Sequence, residues 1–299
     1  MKTNIIILGA HGMLGWQIVN EFKDKNYKII CQVRNKKSEL SLKKKLNLKK
    51  KIKFIYFDVE KDPINLLLKH ISVKDIIINC IGKIKPYIRD NNKDQIYSAI
   101  KVNSLFPIEL SKNIKLKKNK LYQIATDCVY DGKAGNYDEN SSHNAIDVYG
   151  KTKSLGEVKE NNFYNIRVSI IGKELNTKNS LVEWFLSNKK RNKILGFNDH
   201  LWNGVSTNVF AHILYTIINK NIKIPCHFHL IPKNKVNKFV LLNYLKKYFG
   251  FRNLNIIKKN SKTPVNRVLK TNYKLLNHKI WSESKYKKIL SISEIVKTL

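Results

Sequence analysis

One short run near the N-terminus restricts the fold more than any other part of the chain. Asn4-Ile5-Ile6-Ile7-Leu8 reads as a buried strand, and Gly9-Ala10-His11-Gly12-Met13-Leu14-Gly15 follows at once, leading into an amphipathic stretch to Lys25. Glycines at this spacing between a strand and a helix have separate uses. The first two allow a tight turn and close backbone approach, and the third lets helix and strand pack together. The helix N-terminus then faces outward with unpaired amides, a setting that suits an anionic diphosphate. Gly9, His11, Gly12, Met13 and Leu14 are the first candidate dinucleotide contacts. The His11 side chain is expected to be accommodated in the loop, not to act as a ligand. The competing reading is a glycine-rich turn that binds nothing.

Apolar strands then alternate with helical stretches. Strand two is 28–33 and ends in Arg34-Asn35-Lys36-Lys37. An Asp or Glu there would bind a ribose 2′-hydroxyl; a cationic end suits a 2′-phosphate instead. NADPH is therefore favoured, with NADH admitted and a merely basic surface as the alternative. A helix over 38–51 leads to strand three, 53–57, which ends at Asp58-Val59. Asp58 could meet an adenine amino group or simply serve as a turn residue. A helix near 61–70 precedes strand four, 75–80, which ends at Cys80-Ile81-Gly82. The segment 88–115 reads as helical with a break near Pro107, and strand five, 121–125, delivers Thr126. The ends at Gly9, Ile81 and Thr126 should open on one crevice. The pattern predicts an α/β fold, a Rossmann-like doubly wound parallel sheet with right-handed crossovers.

After the long loop 127–147, a helix capped by Asp147 is expected from Tyr149 to about Glu160. Tyr149 and Lys153 are four residues apart, on one helix face. A cation beside a phenol lowers its pKa and makes it a proton donor or acceptor nearer neutrality. Thr126 could offer a hydroxyl to the same substrate oxygen. Alone, Tyr-x-x-x-Lys is weak, because any Lys-rich solvated helix can produce it.

Strand six is 164–170, and beyond it the pattern loosens. A short helix over 180–187, a loop-like 188–205, a helix 206–219, a strand 226–230, a helix 235–248, a strand near 254–258 and a last helix 292–298 suggest a smaller C-terminal α/β substrate lobe. The expected division is an NAD(P)-binding domain over 1–170, taking in about 206–222, and a substrate lobe over 171–299. The formal charge of +35 raises nucleic acid or an anionic membrane as partners, but the lysines are spread along the whole chain. An anionic substrate or cofactor fits as well. Cys31, Cys80, Cys128 and Cys226 form no Cys-x-x-Cys pair, so neither a metal site nor a disulfide framework is expected. No apolar run approaches the ~18 residues of a membrane span, and no signal peptide is legible. A cytoplasmic protein with no nucleic-acid or membrane partner is expected, and a homodimer is admitted.

With these pieces placed, the chain resembles the extended short-chain dehydrogenase/reductases, and more narrowly the dTDP-4-dehydrorhamnose reductase family. The motifs are Gly9-x-x-Gly12-Met13-Leu14-Gly15, Asn79-Cys80-Ile81-Gly82, Asn103-Ser104-Leu105-Phe106-Pro107, Ala125-Thr126-Asp127-Cys128-Val129-Tyr130-Asp131-Gly132, Tyr149-Gly150-Lys151-Thr152-Lys153-Ser154-Leu155-Gly156-Glu157 and Arg167-Val168-Ser169-Ile170-Ile171-Gly172. The resemblance implies that Tyr149 protonates a sugar's keto oxygen while a nicotinamide delivers hydride. It implies that Lys153 holds the nicotinamide ribose and lowers the phenol pKa, and that Thr126 hydrogen-bonds the carbonyl. Val59, Cys80, Ile81 and Gly82 would line the cofactor. Asn103, Asp127, Cys128, Trp184 and Asn203 would meet the nucleotide-diphosphate sugar. Cys128 stands where the family usually has an aromatic, and 172–207 and 82–86 depart from the standard rhamnose enzyme.

The implied activity is NADPH-dependent reduction of a 4-keto nucleotide sugar for dTDP-rhamnose and cell-surface polysaccharide synthesis. An epimerase of the same superfamily is the nearest alternative. A dehydratase would want an acidic pair beside the hydroxyl, where this chain has Asp127-Cys128. A non-catalytic binding subunit, as the regulatory subunit of methionine adenosyltransferase is in this family, is the reading from a different class.

Overall fold

The computed structural model describes residues 4–48, 52–114, 118–175 and 177–299. Strands β1 (Asn4–Leu8), β2 (Lys28–Val33), β3 (Lys53–Tyr56), β4 (Ile76–Asn79), β5 (Lys120–Ala125) and β6 (Phe163–Arg167) alternate with helices. These are α1 (Gly15–Phe22), α2 (Lys36–Leu46), α3 (Asn65–Leu68), α4 (Lys93–Ile100), α5 (Phe106–Asn113) and α6 (Val148–Leu155). The strands pair in parallel in the order 3-2-1-4-5-6, and His227–His229 adds a seventh beside β6. The order reverses between β1 and β4, which is where a doubly wound sheet opens a crevice beyond its strand ends. The predicted Rossmann-like fold is the one found. Ile5, Ile6 and Ile7 are fully buried, as a central strand covered on both faces requires, which is why that run does not alternate. Phe57, Leu67, Phe106, Leu110 and Phe163 build the core beneath one face.

Buried amides, invisible to an apolar pattern, tie the strand ends together. Gln32 accepts from the Gly9 N–H at 2.7 Å and donates to the Phe57 carbonyl at 2.5 Å, linking the ends of β1, β2 and β3. Asn79 donates to Gln123 at 2.8 Å and accepts from the Ile81 N–H at 3.1 Å, fixing the ends of β4 and β5. At Gly15 a side chain would bring a Cβ within 2.0 Å of the Gly9 carbonyl oxygen, so only glycine lets α1 start there.

Several expected elements differ. No break occurs at Pro107. Helix continues from α4 into α5 through a π-turn, Lys101–Leu105, closed by the Phe106 N–H on the Lys101 carbonyl. Pro107 follows that π-turn, as the second residue of α5. Helix α2 is shorter than 38–51, whose last three residues lie outside those described, as does residue 115 of the segment 88–115. The helix near 61–70 shrinks to α3. Helix α6 ends at Leu155, short of Glu160, at the glycine that follows it. Strand six stops at Arg167, because Ile170–Ile171 pairs instead with Val205–Ser206.

The chain forms two compact units: residues 1–129, 143–167 and 224–228, and residues 130–142, 168–223 and 229–299. The second unit takes the helix Thr207–Asn219, which was expected with the first domain, and residues 130–142 of the long loop. The stretch 188–205 is not loop. Lys193–Phe197 pairs with Asn255–Lys259, and His200–Trp202 lies between Val236–Asn237 and Val265–Asn266. These partners are remote in sequence, so no local pattern announces them. Helix Lys274–Glu283 was likewise not anticipated.

Candidate active site

The site is assembled in the first unit at the ends of β1, β4 and β5. A Cβ at Gly9 would lie 3.0 Å from the Ile81 amide nitrogen, and the Cys80 N–H donates to the Leu8 carbonyl at 3.0 Å. The glycine turn and the Cys80–Gly82 segment are therefore in contact. Gly9 has φ +74°, a conformation that side chains resist. Leu14, at the N-cap of α1, makes no side-chain capping hydrogen bond. A backbone cradle of this kind fits a dinucleotide diphosphate. His11 stays below its ordinary pKa through burial and then the Arg34 guanidinium, which brings the β2 end up to this loop. Arg34 itself is exposed, whereas Lys36 turns to Glu39 at 3.1 Å.

Thr126 ends β5 and is buried. Its Oγ1 accepts from the Cys128 N–H at 3.2 Å and donates to Asp127 Oδ1 at 3.2 Å. The Thr126 hydroxyl also acts on the Tyr149 phenol, pulling its pKa down against the effect of burial. Tyr149 is half-buried on α6, whose first turn is capped by Asp147 Oδ1 accepting from the Gly150 N–H at 2.8 Å. Lys153 is buried one turn later and donates to the Ile124 carbonyl of β5 at 2.9 Å. A Cβ on Gly82 would stand 4.0 Å from Lys153 Nζ, so the β4 end and the lysine also face each other. The three residues expected from Tyr-x-x-x-Lys and the β5 end are thus brought together.

Their electrostatics differ from the expectation. Burial pushes the Tyr149 phenol up, the Cys128 thiol and the Asp127 and Asp147 carboxylates push the same way, and the Thr126 hydrogen bond pulls against them. Burial drops Lys153 to about 8, opposed by Glu157 and Cys80. A lysine that lowers the phenol is therefore not what this structure holds; burial dominates both groups.

Asn103, expected to meet substrate, lies in the π-turn and is committed internally. Its Nδ2 donates to the Lys83 carbonyl at 3.0 Å and to Thr152 Oγ1 at 3.2 Å, and its Oδ1 accepts from the Lys83 N–H at 2.8 Å. Both amide hydrogens are used, so it positions the β4 loop and α6. Asp58 acts as a turn residue, its Oδ1 accepting from the Glu60 N–H at 3.0 Å. The Val59 side chain is in the core. Trp184 and Asn203 lie in the second unit. Trp184 is partly exposed, whereas the buried Asn203 amide donates to the Leu269 carbonyl at 2.7 Å and accepts from its N–H at 3.0 Å. Sequence reasoning missed Gln32, Asn79 and Gln123 as supports. The available signal was an amide inside an otherwise apolar strand run.

A doubly wound sheet with a glycine turn after β1 and a Thr, Tyr and Lys group beyond β5 defines a Rossmann-like α/β protein. The chain belongs to the RmlD substrate binding domain family, whose model matches residues 2–289. Its fold is similar to dTDP-4-dehydrorhamnose reductase from Bacillus anthracis in complex with NADP, with TM-score 0.77, 21% identity, and 100% of this chain and 98% of that one covered. It is also similar to UDP-glucuronic acid 4-epimerase from Bacillus cereus in complex with NAD, with TM-score 0.72, 16% identity, and 99% and 94% covered. Among curated proteins, methionine adenosyltransferase 2 subunit beta of Bos taurus is 27% identical over 164 residues, 54% of this chain. That match spans 44% of the relative's length. Among the described residues, no helix is long and apolar enough to cross a membrane.

Proposed function

We propose that this protein is an NADPH-dependent reductase of a 4-keto nucleotide-diphosphate sugar, of the dTDP-4-dehydrorhamnose reductase kind and serving dTDP-rhamnose or other polysaccharide synthesis. The observation that carries the reading is the grouping of Thr126 at the end of β5, Tyr149 on α6 and Lys153 one helical turn later, its Nζ donating to the Ile124 carbonyl of β5 at 2.9 Å. A phenol kept protonated by burial is in the right form to give its proton to a ketone oxygen. Thr126 would hold that oxygen in line with the phenol. Lys153 would hold the cofactor ribose, and the Gly9–Gly15 turn its diphosphate. Bound NADPH would supply the hydride. The structural relatives crystallised with NADP and NAD support a nicotinamide cofactor, and the cationic Arg34 supports the phosphorylated one.

A second reading, a non-catalytic regulatory subunit, is favoured by the name of the curated relatives, subunit beta of methionine adenosyltransferase 2. One experiment separates the two: following NADPH oxidation spectrophotometrically with a panel of 4-keto nucleotide sugars. Oxidation with at least one sugar supports the reductase. NADPH binding with no oxidation across the panel overturns it in favour of the binding subunit.

A further inference from the structure

Strand β2 is apolar and buried at Ile29, Ile30, Cys31 and Val33, and one amide interrupts that run. Gln32 is 2% exposed and has no part in the proposed reaction. Its Oε1 accepts from the Gly9 N–H at 2.7 Å, and its backbone carbonyl accepts from the Ala10 N–H at 3.1 Å. One residue thus holds the first two amides of the glycine turn. Its Nε2 donates to the carbonyl of Phe57, just past the end of β3. On its other side the turn meets the β4 end, where a Cβ at Gly9 would lie 3.0 Å from the Ile81 amide nitrogen. Gly9, at φ +74°, therefore stands between Gln32 and Ile81.

A buried amide with both ends satisfied could be no more than a tie across the sheet. Asn119 is such a tie: its Nδ2 donates to the Ser72 carbonyl at 2.8 Å and to the Asp75 carbonyl at 3.1 Å. Those bonds join the segments leading into β4 and β5, at the strand ends opposite the crevice. Gln32 differs in what it holds. Burying an amide costs free energy unless its polar atoms find partners, and an apolar residue in β2 would avoid that cost. The partner that Gln32 finds is the first residue of the turn itself. A cradle of backbone amides binds an anion well only when it is held in place beforehand.

We propose that Gln32 is the positioning residue of the cofactor site: by tying the Gly9 N–H to the ends of β2 and β3, it fixes where the glycine turn stands and so how tightly the dinucleotide diphosphate is held. This rests on the reading of the turn as a diphosphate cradle. It adds to that reading a residue that acts through Gly9 and not by touching the cofactor.

The test is the affinity of the full chain for NADP+ and for NAD+, titrated against intrinsic fluorescence, with melting temperatures measured beside it. Gln32→Met keeps the length of the side chain and removes both hydrogen bonds. It should weaken both dinucleotides by the same factor, about tenfold or more, the factor that one lost hydrogen bond carries. Asn119→Leu, which removes two amide bonds at the far end of the sheet, should lower the melting temperature and leave both affinities unchanged. Gln32→Glu covers the case in which the Met variant does not fold. Its buried carboxyl, neutral at about pH 5, can accept from Gly9 and donate to Phe57 as the amide does, so binding should match wild type there and weaken as the acid ionises. Affinity in Gln32→Met within about twofold of wild type overturns the proposal and leaves Gln32 as a sheet tie. So does equal weakening in Asn119→Leu, which would trace the effect to general stability, or weakening of NADP+ alone, which would trace it to Arg34. A wild type that binds neither dinucleotide overturns the cradle reading itself, a result distinct from any of these.

Discussion

The Asn103 amide donates to Thr152 Oγ1 at 3.2 Å, joining the π-turn between α4 and α5 to the helix that carries Tyr149 and Lys153. Thr152 passes the bond on, its Oγ1 lying 2.8 Å from the Val148 carbonyl. Asn103→Ala removes this bond and the two to the Lys83 backbone at once. Buried partners left unsatisfied cost ~1–3 kcal/mol each, so a loss of about 3 kcal/mol is expected in urea unfolding. Because the β4 loop and α6 lose their common support, turnover should fall along with stability. A change under about 0.5 kcal/mol, the range of an indifferent surface site, would show that the π-turn needs no such bridge.

Arg34 is expected to set cofactor choice. It is exposed at the end of β2 and close enough to the glycine turn to depress His11. A charge-assisted contact to a 2′-phosphate contributes roughly 1.5–3 kcal/mol. Arg34→Asp should therefore weaken NADPH at least about tenfold more than NADH, measured by titrating both cofactors against intrinsic fluorescence. Equal weakening would assign the residue to the general basic surface.

What the sequence made legible follows from what each signal is made of. β1 and its turn were plain because a fully buried strand must be apolar throughout, and Gly15 must lack a side chain because a Cβ there would meet the Gly9 carbonyl oxygen at 2.0 Å. Thr126, Tyr149 and Lys153 were legible because a strand end and a four-residue helical spacing are local facts. The pKa direction at Tyr149 was not, because burial depends on everything packed around it and outweighed the expected effect of one lysine. Nor could spacing tell that Asn103 faces Lys83 and Thr152, since that depends on a π-turn. The short strands after 188 escaped for a related reason: Lys193–Phe197 exists as a strand only because Asn255–Lys259 runs beside it.

Lys153 should cost the fold stability at neutral pH. The unfolded chain keeps this amine protonated up to its ordinary 10.5, whereas burial brings the folded value to about 8. The folded state thus binds fewer protons between those values, and its stability rises with pH across that window. The difference corresponds to about 3 kcal/mol of penalty below pH 8. Lys153→Met removes the penalty but leaves the Ile124 carbonyl without its donor, a loss of ~1–3 kcal/mol. A net gain of about 1 kcal/mol is expected at pH 7, shrinking toward pH 10, alongside weaker NADPH binding and lost turnover. Chemical denaturation at the two pH values checks it. A variant less stable than wild type at pH 7, or a gain that grows at pH 10, would refute the account.

Tyr149→Phe isolates the hydroxyl. The ring remains, so packing against the half-buried site changes little, and the Asp147 cap on the Gly150 amide is untouched. What disappears is the proton placed beside Thr126. Positioned acid catalysis contributes about 10²–10⁴-fold, and turnover should fall by that factor while NADPH affinity and the melting temperature stay near wild type. The phenol is pushed up by burial, so wild-type turnover should show no loss of activity at neutral pH from phenol ionisation. If Tyr149 and Lys153 were only a solvated helix face, the variant would turn over like the wild type. A kcat within about twofold of wild type, with binding intact, would remove Tyr149 from the mechanism.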